Sequence, residues 1–430
     1  MDVIVGAGKT GASCARYLAR KGQQFRLADD ALAPSALAEI RALVADAECT
    51  ALADARLEEA SRLIVSPGVP LARPEIVGAR AAGVPITGDV AIFCGEISAP
   101  LLAVTGSNGK STVTTLLGRM AEAAGRRVAT GGNLGMPCLD LLHPAVQLYV
   151  IEMSSFQLET AVSPGADVAV LLNVSPDHMD RYPDFDTYLA TKANIFAGCR
   201  AAVIAREARV PGLPDCEVWT FGRGANSGQR QCNLDDEGNL LLEGERVLHA
   251  AELRIVGTHN HLNVLAALAA GHASGLDVEA MVYAARTFAG LPHRTEWVAD
   301  VSGVSYFNDS KATNPGATLA AIGGFSGRNV KLLLGGQGKG ADFSALGNAL
   351  NTTTNEVFVF GEDAELLADA LGGNVAQAGG MLEALEQARA RARPGDVVLL
   401  SPACASFDEF RSFAERGAVF KRAVREAADG

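Results

Sequence analysis

The residues best placed to do chemistry lie between Leu101 and Thr112, where an apolar run ends in Thr-Gly-Ser-Asn-Gly-Lys-Ser-Thr. Glycines at such a point let backbone N–H groups converge on phosphate oxygens, and a following helix adds a favourable dipole. Lys110 is expected to reach the β- and γ-phosphates, and the Ser111 hydroxyl is expected to bind Mg²⁺. The usual pattern has glycine where Val104 stands, so the segment predicts a variant nucleotide loop. An ordinary strand-to-helix turn is the alternative.

A second glycine turn, from Gly6 to Gly11, matches GxGxxG between a short strand and a helix, with Asp29 and Asp30 near the expected acidic position. This pattern specifies a diphosphate at a helix N-terminus. An oxidoreductase that uses NAD is one interpretation. A protein that binds another diphosphate-linked nucleotide, such as a UDP-sugar, satisfies the same physics.

Polar residues also gather after two further strands. Glu152 ends an apolar run, and the turn from Asn173 to Tyr182 contains His178 and two aspartates. Open α/β sheets bind ligands at the carboxyl ends of their strands, so Glu152 is a candidate Mg²⁺ ligand. For His178, hydrogen bonding within the turn is the alternative. Lys192, on a predicted helix, is expected from its own segment alone to be a solvated lysine.

Composition narrows the class of protein. The chain has 430 residues, of which 48% are hydrophobic, and a net charge of −12. This length suggests about three domains, and the charge argues against a general nucleic-acid surface. No apolar run approaches a membrane span, no secretory signal is evident, and the eight cysteines show no metal spacing. We therefore expect a cytoplasmic protein with reduced thiols, no membrane insertion and no nucleic-acid partner.

Short apolar strands alternate with amphipathic helices along the whole chain, which predicts an α/β fold of three domains. We expect a Rossmann-like domain over residues 1–88, a central phosphate-loop domain with a parallel sheet over 89–290, and a C-terminal Rossmann-like domain over 291–430. A small antiparallel hairpin region is predicted over 217–247. Helices are predicted from about Ser13 to Arg20, from Thr112 to Ala124 and, at the end, from Glu409 to Ala428.

The motifs occur in an order that resembles the Mur ligases of peptidoglycan synthesis, over essentially the whole chain. The segments that carry the resemblance are Thr105–Thr112, Gly131–Gly135, Glu152–Glu159, Asn173–Tyr182, His259–Asn260, Leu291–Arg294, Asn308–Asn314 and Ser401–Asp408. The resemblance implies an ATP-dependent ligase that adds D-glutamate to UDP-N-acetylmuramoyl-L-alanine. Addition of a different amino acid, including L-glutamate, and an NAD-dependent oxidoreductase are the alternatives. A nucleotide-regulated binding protein without catalysis is a third.

The resemblance also implies which residues bind each substrate. The residues expected to bind ATP are Gly106, Ser107, Asn108, Gly109, Lys110, Ser111, Thr112, Asn260, Asn263, Arg294 and Asp309. Those expected to bind the UDP substrate are Gly8, Thr10, Asn133, Ser154 and Gln157. Those expected to bind glutamate are His178, Lys311, Thr313, Lys339, Ser406 and Phe413. The small-molecule substrates are the only partners expected, and the protein is expected to be a monomer.

The catalytic and metal residues follow from the same resemblance. They are Lys110, Ser111, Glu152, His178 and Lys192, with two Mg²⁺ ions bound by the last four. Lys192 would be carbamylated, which turns a cation into an anionic ligand and replaces the solvated role expected from its segment. ATP would convert the L-alanyl carboxylate to an acyl phosphate, which the glutamate amine would attack. His178 is a candidate to orient that amine or accept its proton.

Two positions depart from the family pattern. The third-domain loop has Gln337 where we expect an acid before Gly338-Lys339, which makes the amino-acid preference less secure. After the second strand the chain has Asp30-Ala31 instead of a Thr-Arg pair. Cys404 lies in a conspicuous Pro-Ala-Cys-Ala-Ser motif, but no base adjoins it, so we expect a buried structural thiol.

Overall fold

A computed structural model describes residues 1–30, 34–43, 49–174, 181–210, 215–224, 228–325, 327–338, 340–350, 355–372 and 375–429. The chain forms two compact units, residues 1–250 with 262–285 and residues 251–261 with 286–430. The first unit contains two sheets and the second contains one. Within the described ranges, no helix has the length and apolar character needed to cross a membrane.

The first sheet is parallel and has the strand order β3-β2-β1-β4-β5. Its strands are β1 Asp2–Val5, β2 Phe25–Ala28, β3 Cys49–Thr50, β4 Arg62–Val65 and β5 Ile86–Thr87. Its helices are α1 Lys9–Arg20, α2 Pro34–Leu43, α3 Pro74–Ala81 and α4 Asp89–Glu96. This order is that of a Rossmann-like fold and confirms the predicted class for the N-terminal segment. Helix α1 begins at Lys9 and not near Ser13, because the glycine turn leads directly into it with Gly8 as its N-cap.

The second sheet has nine strands in the order β14-β13-β12-β11-β10-β9-β6-β8-β7. They are β6 Leu101–Thr105, β7 Val128–Gly132, β8 Leu148–Glu152, β9 Val168–Leu171, β10 Ala201–Ala205, β11 Glu217–Arg223, β12 Gln231–Leu234, β13 Asn239–Leu242 and β14 Glu245–His249. The helices are α5 Lys110–Ala123, α6 Ser155–Leu158, α7 Phe185–Ala193, α8 Thr258–Ala273 and α9 Val278–Thr287. Helix α5 begins before the predicted start, at the loop lysine.

The prediction of a separate hairpin region over 217–247 is wrong in part. Strand β11 pairs in parallel with β10, and β12 pairs in parallel with β11, so both extend the central sheet. Trp219 and Phe221 of β11 are buried, and this apolar side keeps the strand on the sheet. Only β12, β13 and β14 form an antiparallel meander at the edge of the described sheet, so the central sheet is mixed and not wholly parallel.

The third sheet has the order β15-β16-β20-β17-β18-β19, in which only β15 runs antiparallel to its neighbour among the described strands. Its strands are β15 Glu296–Val301, β16 Val304–Asn308, β17 Val330–Gly335, β18 Glu356–Phe360, β19 Ala376–Gln377 and β20 Val397–Ala403. Its helices are α10 Pro315–Gly323, α11 Ser344–Leu350, α12 Ala364–Ala370, α13 Met381–Arg391 and α14 Phe413–Asp429. Helix α14 begins later than predicted, because the Glu409 carboxylate accepts a hydrogen bond from the Met381 N–H of α13, at 3.1 Å.

One apolar core joins the first two sheets, since Ile4 and Leu18 belong to the same buried cluster as Phe93 and Ile151. The third sheet has its own cores, one on each face. The boundaries at residues 88 and 290 stay a prediction, but each glycine or polar loop described below follows a buried strand. These strands fix where the loops begin.

Gly11 tests the packing of α1 against the first sheet. A Cβ atom at Gly11 would lie 2.1 Å from the carbonyl oxygen of Gly6. We expect Gly11→Ala to destabilise the protein by about 1–3 kcal/mol, because the helix must move away from the turn. Thermal unfolding should show a lower melting temperature. The matched control is Gly78→Ala in α3, where a Cβ meets nothing within 4 Å and helix propensity improves. Equal melting temperatures for the two variants would contradict this account.

Candidate active site

The phosphate loop has the strand-turn-helix geometry that the sequence predicts. Strand β6 ends at Thr105, Gly106 and Gly109 have positive φ angles of 153° and 84°, and α5 begins at Lys110. A Cβ at Gly109 would lie 2.3 Å from the Asn263 side-chain oxygen. Glycine is therefore required there by conformation and by space, and the loop lies against α8.

Asn173, which the sequence analysis did not single out as a site residue, fastens this loop. Its side-chain oxygen accepts a hydrogen bond from the Asn108 N–H at 2.8 Å, and its amide nitrogen donates to the Asn108 carbonyl at 3.0 Å. Its own carbonyl accepts from the Ser107 N–H at 2.8 Å. The sequence indicated this role, because Asn173 follows a strand adjacent to β6.

Two lysines converge on the carbonyl oxygen of Gly106. The Lys110 ammonium lies 2.8 Å from that oxygen and 3.0 Å from the Ser107 carbonyl. The Lys192 ammonium lies 3.0 Å from the same Gly106 oxygen, and Lys192 is only 2% exposed. It also lies over the Tyr188 ring, 4.7 Å from the centroid. The solvated lysine expected from the helix segment alone is therefore wrong, since α7 turns Lys192 toward the loop.

Glu152 lies at the end of β8, and one of its two carboxylate oxygens accepts a hydrogen bond. Its Oε1 accepts from the Asn133 side chain at 2.7 Å, while its buried Oε2 has no hydrogen-bond partner among the described residues. Burial of such an oxygen is unfavourable unless something binds it. Its position at a carboxyl strand end beside the phosphate loop fits a divalent cation. In the described part of the chain, no three His, Cys, Asp or Glu residues form a ready metal cluster.

The N-terminal glycine turn is held by its own acid. The Asp29 carboxylate accepts from the Ala7 N–H at 2.7 Å, and the Ser66 hydroxyl donates to the Gly6 carbonyl at 2.6 Å. Asp29 thus closes the turn itself, which weakens the interpretation that it binds a nicotinamide-linked ribose. Lys9 donates to the Gly135 carbonyl, so this turn and the Gly131–Gly135 turn lie together.

Arg181 joins the turn after β4 to the segment around α6. Its guanidinium pairs with Glu159 at 2.7 Å, donates to the Pro67 carbonyl at 2.7 Å, and lies 4.0 Å from the centre of the Phe156 ring. Pro67 belongs to the turn after β4. The Lys9–Gly135 and Asn133–Glu152 hydrogen bonds connect the segments that carry the predicted UDP-substrate residues Gly8, Thr10, Asn133 and Ser154.

The second unit gathers its own set of polar residues after β16. Asp309 is 7% exposed, and it accepts from the Ser401 hydroxyl at 2.8 Å and from the Thr295 N–H at 3.0 Å. Burial raises the pKa of the Asp309 carboxyl to about 6. Lys311 lies over the Phe413 ring, 5.3 Å from its centroid.

Known proteins match this chain over nearly its whole length. Models of the Mur ligase MurD-like N-terminal domain, the Mur ligase middle domain and the Mur ligase glutamate ligase domain match residues 1–88, 104–271 and 293–404. A UDP-N-acetylmuramoylalanine–D-glutamate ligase of Pseudomonas fluorescens is 47% identical, over 99% of this chain and 98% of that protein. The chain belongs to the Mur ligase family.

Solved structures of Mur ligases share its fold. The UDP-N-acetylmuramate-alanine ligase MurC of Thermotoga maritima aligns with a TM-score of 0.59 and 20% identity, over 99% of both chains. The MurF ligase of the same organism, solved with ADP, aligns with a TM-score of 0.54 and 19% identity, over 86% of this chain and 89% of that chain. The family resemblance and the three-domain α/β class inferred from the sequence are confirmed.

The remaining predicted residues of this Mur ligase are placed as follows. Ser406 is buried, whereas Arg294, Lys311 and Thr313 are exposed in the second unit. Asn260 donates its side-chain amide to the Val256 carbonyl at 2.8 Å. His178 and Lys339 lie outside the described residues, as does Ala31. The individual roles of the residues stay predictions.

Arg416 is the residue that the sequence analysis missed in the second unit. It is fully buried on α14, and burial lowers its pKa to about 10. Its guanidinium donates to the Ser310 hydroxyl and to four carbonyl oxygens. These are the carbonyls of Ser310, Gly335, Cys404 and Ala405. Arg416 therefore connects three loops that precede or contain the residues predicted to bind glutamate. The sequence signal for its burial was its spacing from Phe413 and Phe420, which places the three residues on one face of a helix.

Cys404 has the structural role expected for it. It is fully buried within the core of the third sheet, and burial raises the pKa of its thiol to about 12. The thiolate is therefore scarce near neutral pH. All eight cysteines are free thiols, as predicted.

The loop around Gln337 has carboxylates nearby although residue 337 is an amide. The Gln337 side chain donates to Glu362 at 3.3 Å, and the Asp363 carboxylate accepts from the Gly338 N–H at 2.6 Å. The Gln337 backbone pairs with Ala405 in both directions at 2.9 Å. The Asp363 carboxylate, on a neighbouring loop, thus holds this turn, in which residue 337 is an amide.

Asp309 should make the stability of the protein depend on pH. Its folded pKa of about 6 lies above the ordinary value of 3.8, so its charge destabilises the fold above pH 6 and not below pH 3.8. The cost at pH 8 is about 3 kcal/mol. We expect Asp309→Asn to raise the melting temperature at pH 8, and the gain to shrink between pH 6 and pH 4.

The matched control for this prediction is Asp300→Asn, at an exposed carboxylate on β15. Its melting temperature should follow that of the wild type at every pH. A pH-independent effect of Asp309→Asn would show that burial of the charge is not the cause.

Proposed function

We propose that this Mur ligase uses ATP to add D-glutamate to UDP-N-acetylmuramoyl-L-alanine. The observation that carries the proposal is the 47% identity to a D-glutamate ligase over 99% of the chain. The geometry supports it, because a phosphate loop, two inward lysines and the Glu152 carboxylate, whose Oε2 has no hydrogen-bond partner in the described part of the chain, occupy one edge of the central sheet.

The reaction requires activation of a carboxylate, because oxide is a poor leaving group. Transfer of the γ-phosphoryl group from ATP to the L-alanyl carboxylate gives an acyl phosphate. Lys110 stabilises charge on the transferring group. The neutral amine of glutamate then attacks the acyl carbon, and the tetrahedral intermediate expels phosphate to form the amide. His178 orients the amine or takes up its proton.

Substrate binding is divided along the chain. Residues 1–88 bind the UDP moiety through Gly8 and Thr10, and Asn133, Ser154 and Gln157 contact the rest of that substrate. Residues 89–290 bind ATP through the loop from Gly106 to Thr112 with Asn260 and Asn263, joined by Arg294 and Asp309. Residues 291–430 bind glutamate through Lys311, Thr313, Lys339, Ser406 and Phe413. The enzyme is a cytoplasmic monomer.

Mg²⁺ fits the residues present at the phosphate loop. Ser111, Glu152, His178 and a carbamate on Lys192 would hold two ions. The Glu152 oxygen that accepts no hydrogen bond from any described residue supports this assignment. Bound Mg²⁺ neutralises phosphate charge and so favours phosphoryl transfer. Carbamylation joins CO₂ to the neutral Lys192 amine with loss of a proton. The Lys192 amine lies beside the phosphate loop, so a carbamate on it would be close to the proposed ions.

The function is tested by phosphate release from ATP with Mg²⁺ and UDP-N-acetylmuramoyl-L-alanine, comparing D-glutamate with L-glutamate. We expect release with D-glutamate only, and none when any one substrate is omitted. Release with another amino acid but not with D-glutamate would overturn the specificity. The oxidoreductase alternative requires a change in nicotinamide absorbance, which we expect to be absent.

Lys192 provides the sharpest residue test. We expect Lys192→Ala to reduce kcat by about 100-fold or more, since an anionic ligand is lost. Acetate or propionate should restore part of the activity by standing in for the carbamate. The control is Lys21→Ala, which removes an exposed lysine paired with Glu96 and should neither reduce activity nor respond to acetate. Full activity of Lys192→Ala would exclude the carbamate.

A further inference from the structure

Asp89 is a buried acid that the proposed chemistry does not use. It is the first residue of α4, follows β5 after one glycine, and is 2% exposed. Its Oδ2 accepts from the Gln157 side-chain amide at 3.1 Å and from the Cys138 thiol at 3.3 Å. The acid therefore lies where the N-terminal sheet ends and contacts the segment that follows β8.

Gln157 passes this contact on to Ser154. The Gln157 Oε1 accepts from the Ser154 N–H at 3.1 Å and lies 3.3 Å from the Ser154 hydroxyl. The Gln157 N–H donates to the Ser154 hydroxyl at 3.2 Å, which completes a capping box for α6. Because an ionised Asp89 only accepts hydrogen bonds, the Gln157 NH₂ group must face it. Asp89 thereby directs the Gln157 oxygen toward the Ser154 backbone.

The chain before Ser154 is fastened from the opposite side. The Met153 N–H donates to the Val104 carbonyl at 2.8 Å, and the Thr105 hydroxyl donates to the Met153 carbonyl at 2.8 Å. The exit of β8 is thus held by β6 on one side and by Asp89 through Gln157 on the other. Glu152 and Ser154 both lie in this exit.

We propose that Asp89 is a positioning residue for the UDP substrate, acting through Gln157 on the turn that carries Ser154. This inference rests on the proposed function, because that function makes Ser154 a contact of the UDP substrate. Asp89 itself does not touch the reacting atoms. It connects the end of the N-terminal sheet, through α4, to the edge of the central sheet where the reaction occurs.

The chemistry of Asp89 and Gln157 supports a positioning role for Asp89. A buried carboxylate is unfavourable, and burial raises the pKa of Asp89 even though Cys138 and Gln157 hydrogen-bond to it. A well-packed apolar residue would fill the same space at lower cost in stability. What the carboxylate adds is an acceptor for the Gln157 NH₂ group, which an apolar residue would leave buried without that partner while the Gln157 oxygen still accepts from the Ser154 N–H.

Removing both acceptor oxygens tests the inference. In the full-length enzyme, we expect Asp89→Leu to raise the KM for the UDP substrate about tenfold, because the buried Gln157 NH₂ group loses its partner. The KM for ATP should stay within about twofold of the wild type, because the phosphate loop has its own hydrogen bonds. The Kd of the UDP substrate without ATP, from titration calorimetry, should rise in parallel.

Exchanging the carboxylate at position 89 and the amide at position 157 tests the hydrogen bond between them. Gln157→Glu places a second carboxylate at the position that lies 3.1 Å from the Asp89 oxygen, and it should raise the same KM at least as strongly. Adding Asp89→Asn to this variant restores a donor and an acceptor at the contact. With its oxygen at the Oδ2 position, the new amide at position 89 still accepts from Cys138. Its NH₂ group then takes the Oδ1 position, 3.5 Å from the Gln157 side-chain nitrogen of the wild type, and can donate to the new carboxylate. Because Gln157 is itself proposed to contact the UDP substrate, we expect the double variant to have a KM at least about threefold lower than that of Gln157→Glu alone, without a full return to the wild-type value.

Cys138→Ala is the matched control, because it removes the other partner of Asp89 but leaves Gln157 held. It should lower the melting temperature without changing the KM for the UDP substrate. Equal KM changes in Cys138→Ala and Asp89→Leu, or no recovery in the double variant, would overturn the inference. Failure of the wild type to use D-glutamate would overturn the proposed function instead, since the Kd comparison does not require turnover.

Discussion

The carbonyl oxygen of Gly106 is the point on which the central site depends. It accepts hydrogen bonds from both Lys110 and Lys192, and the strand that precedes it is buried along its whole length. A glycine is needed because its φ of 153° is unfavourable for other residues. Once that carbonyl is fixed, the loop N–H groups, the start of α5 and the inner face of α7 are fixed with it. Asn173 holds the outer side of the loop in the same way.

In the second unit, a buried arginine side chain holds the loops that carry predicted site residues. These loops follow β16, β17 and β20, and the buried Arg416 binds four of their carbonyl oxygens. A guanidinium suits this task because it offers five donors in a fixed plane. Carbonyl dipoles offset the burial of its charge. The loops that carry Lys311 and Ser406 are thereby held in one arrangement.

Three buried carboxylates lower the stability of the folded protein. Glu152 has an oxygen without a partner among the described residues, burial raises the pKa of Asp309 to about 6, and burial also raises the pKa of Asp89. Each lies at or next to a loop that binds substrate under the proposed function. Asp89 and Asp309 already accept hydrogen bonds, so their cost is the burial of charge, whereas a bound cation would satisfy the Glu152 oxygen. The net charge of −12 makes local cations such as Lys110 and Lys192 more important for binding anionic substrates.

Local patterns in the sequence were enough to predict the main strands, the phosphate loop and the family. Buried strands such as Leu101–Thr105 are continuous apolar runs, and the glycine spacing after them follows from backbone conformation, which is local. The family rests on motif order, which also needs no structure. The end of β8 at Glu152 was predictable for the same reason.

Which side chains meet is a matter of tertiary packing. Lys192 is polar and lies on a helix with a weakly apolar face, so its segment indicates solvent, yet packing of α7 buries it. Arg416 and Asn173 look ordinary in sequence, because the backbone groups that they bind at Ser310 and Asn108 lie 106 and 65 residues away and carry no residue identity. The parallel pairing of β11 and the late start of α14 were missed because both depend on distant partners. Contacts between distant backbone groups leave no periodic trace in a sequence, and that is why the structure was needed to find them.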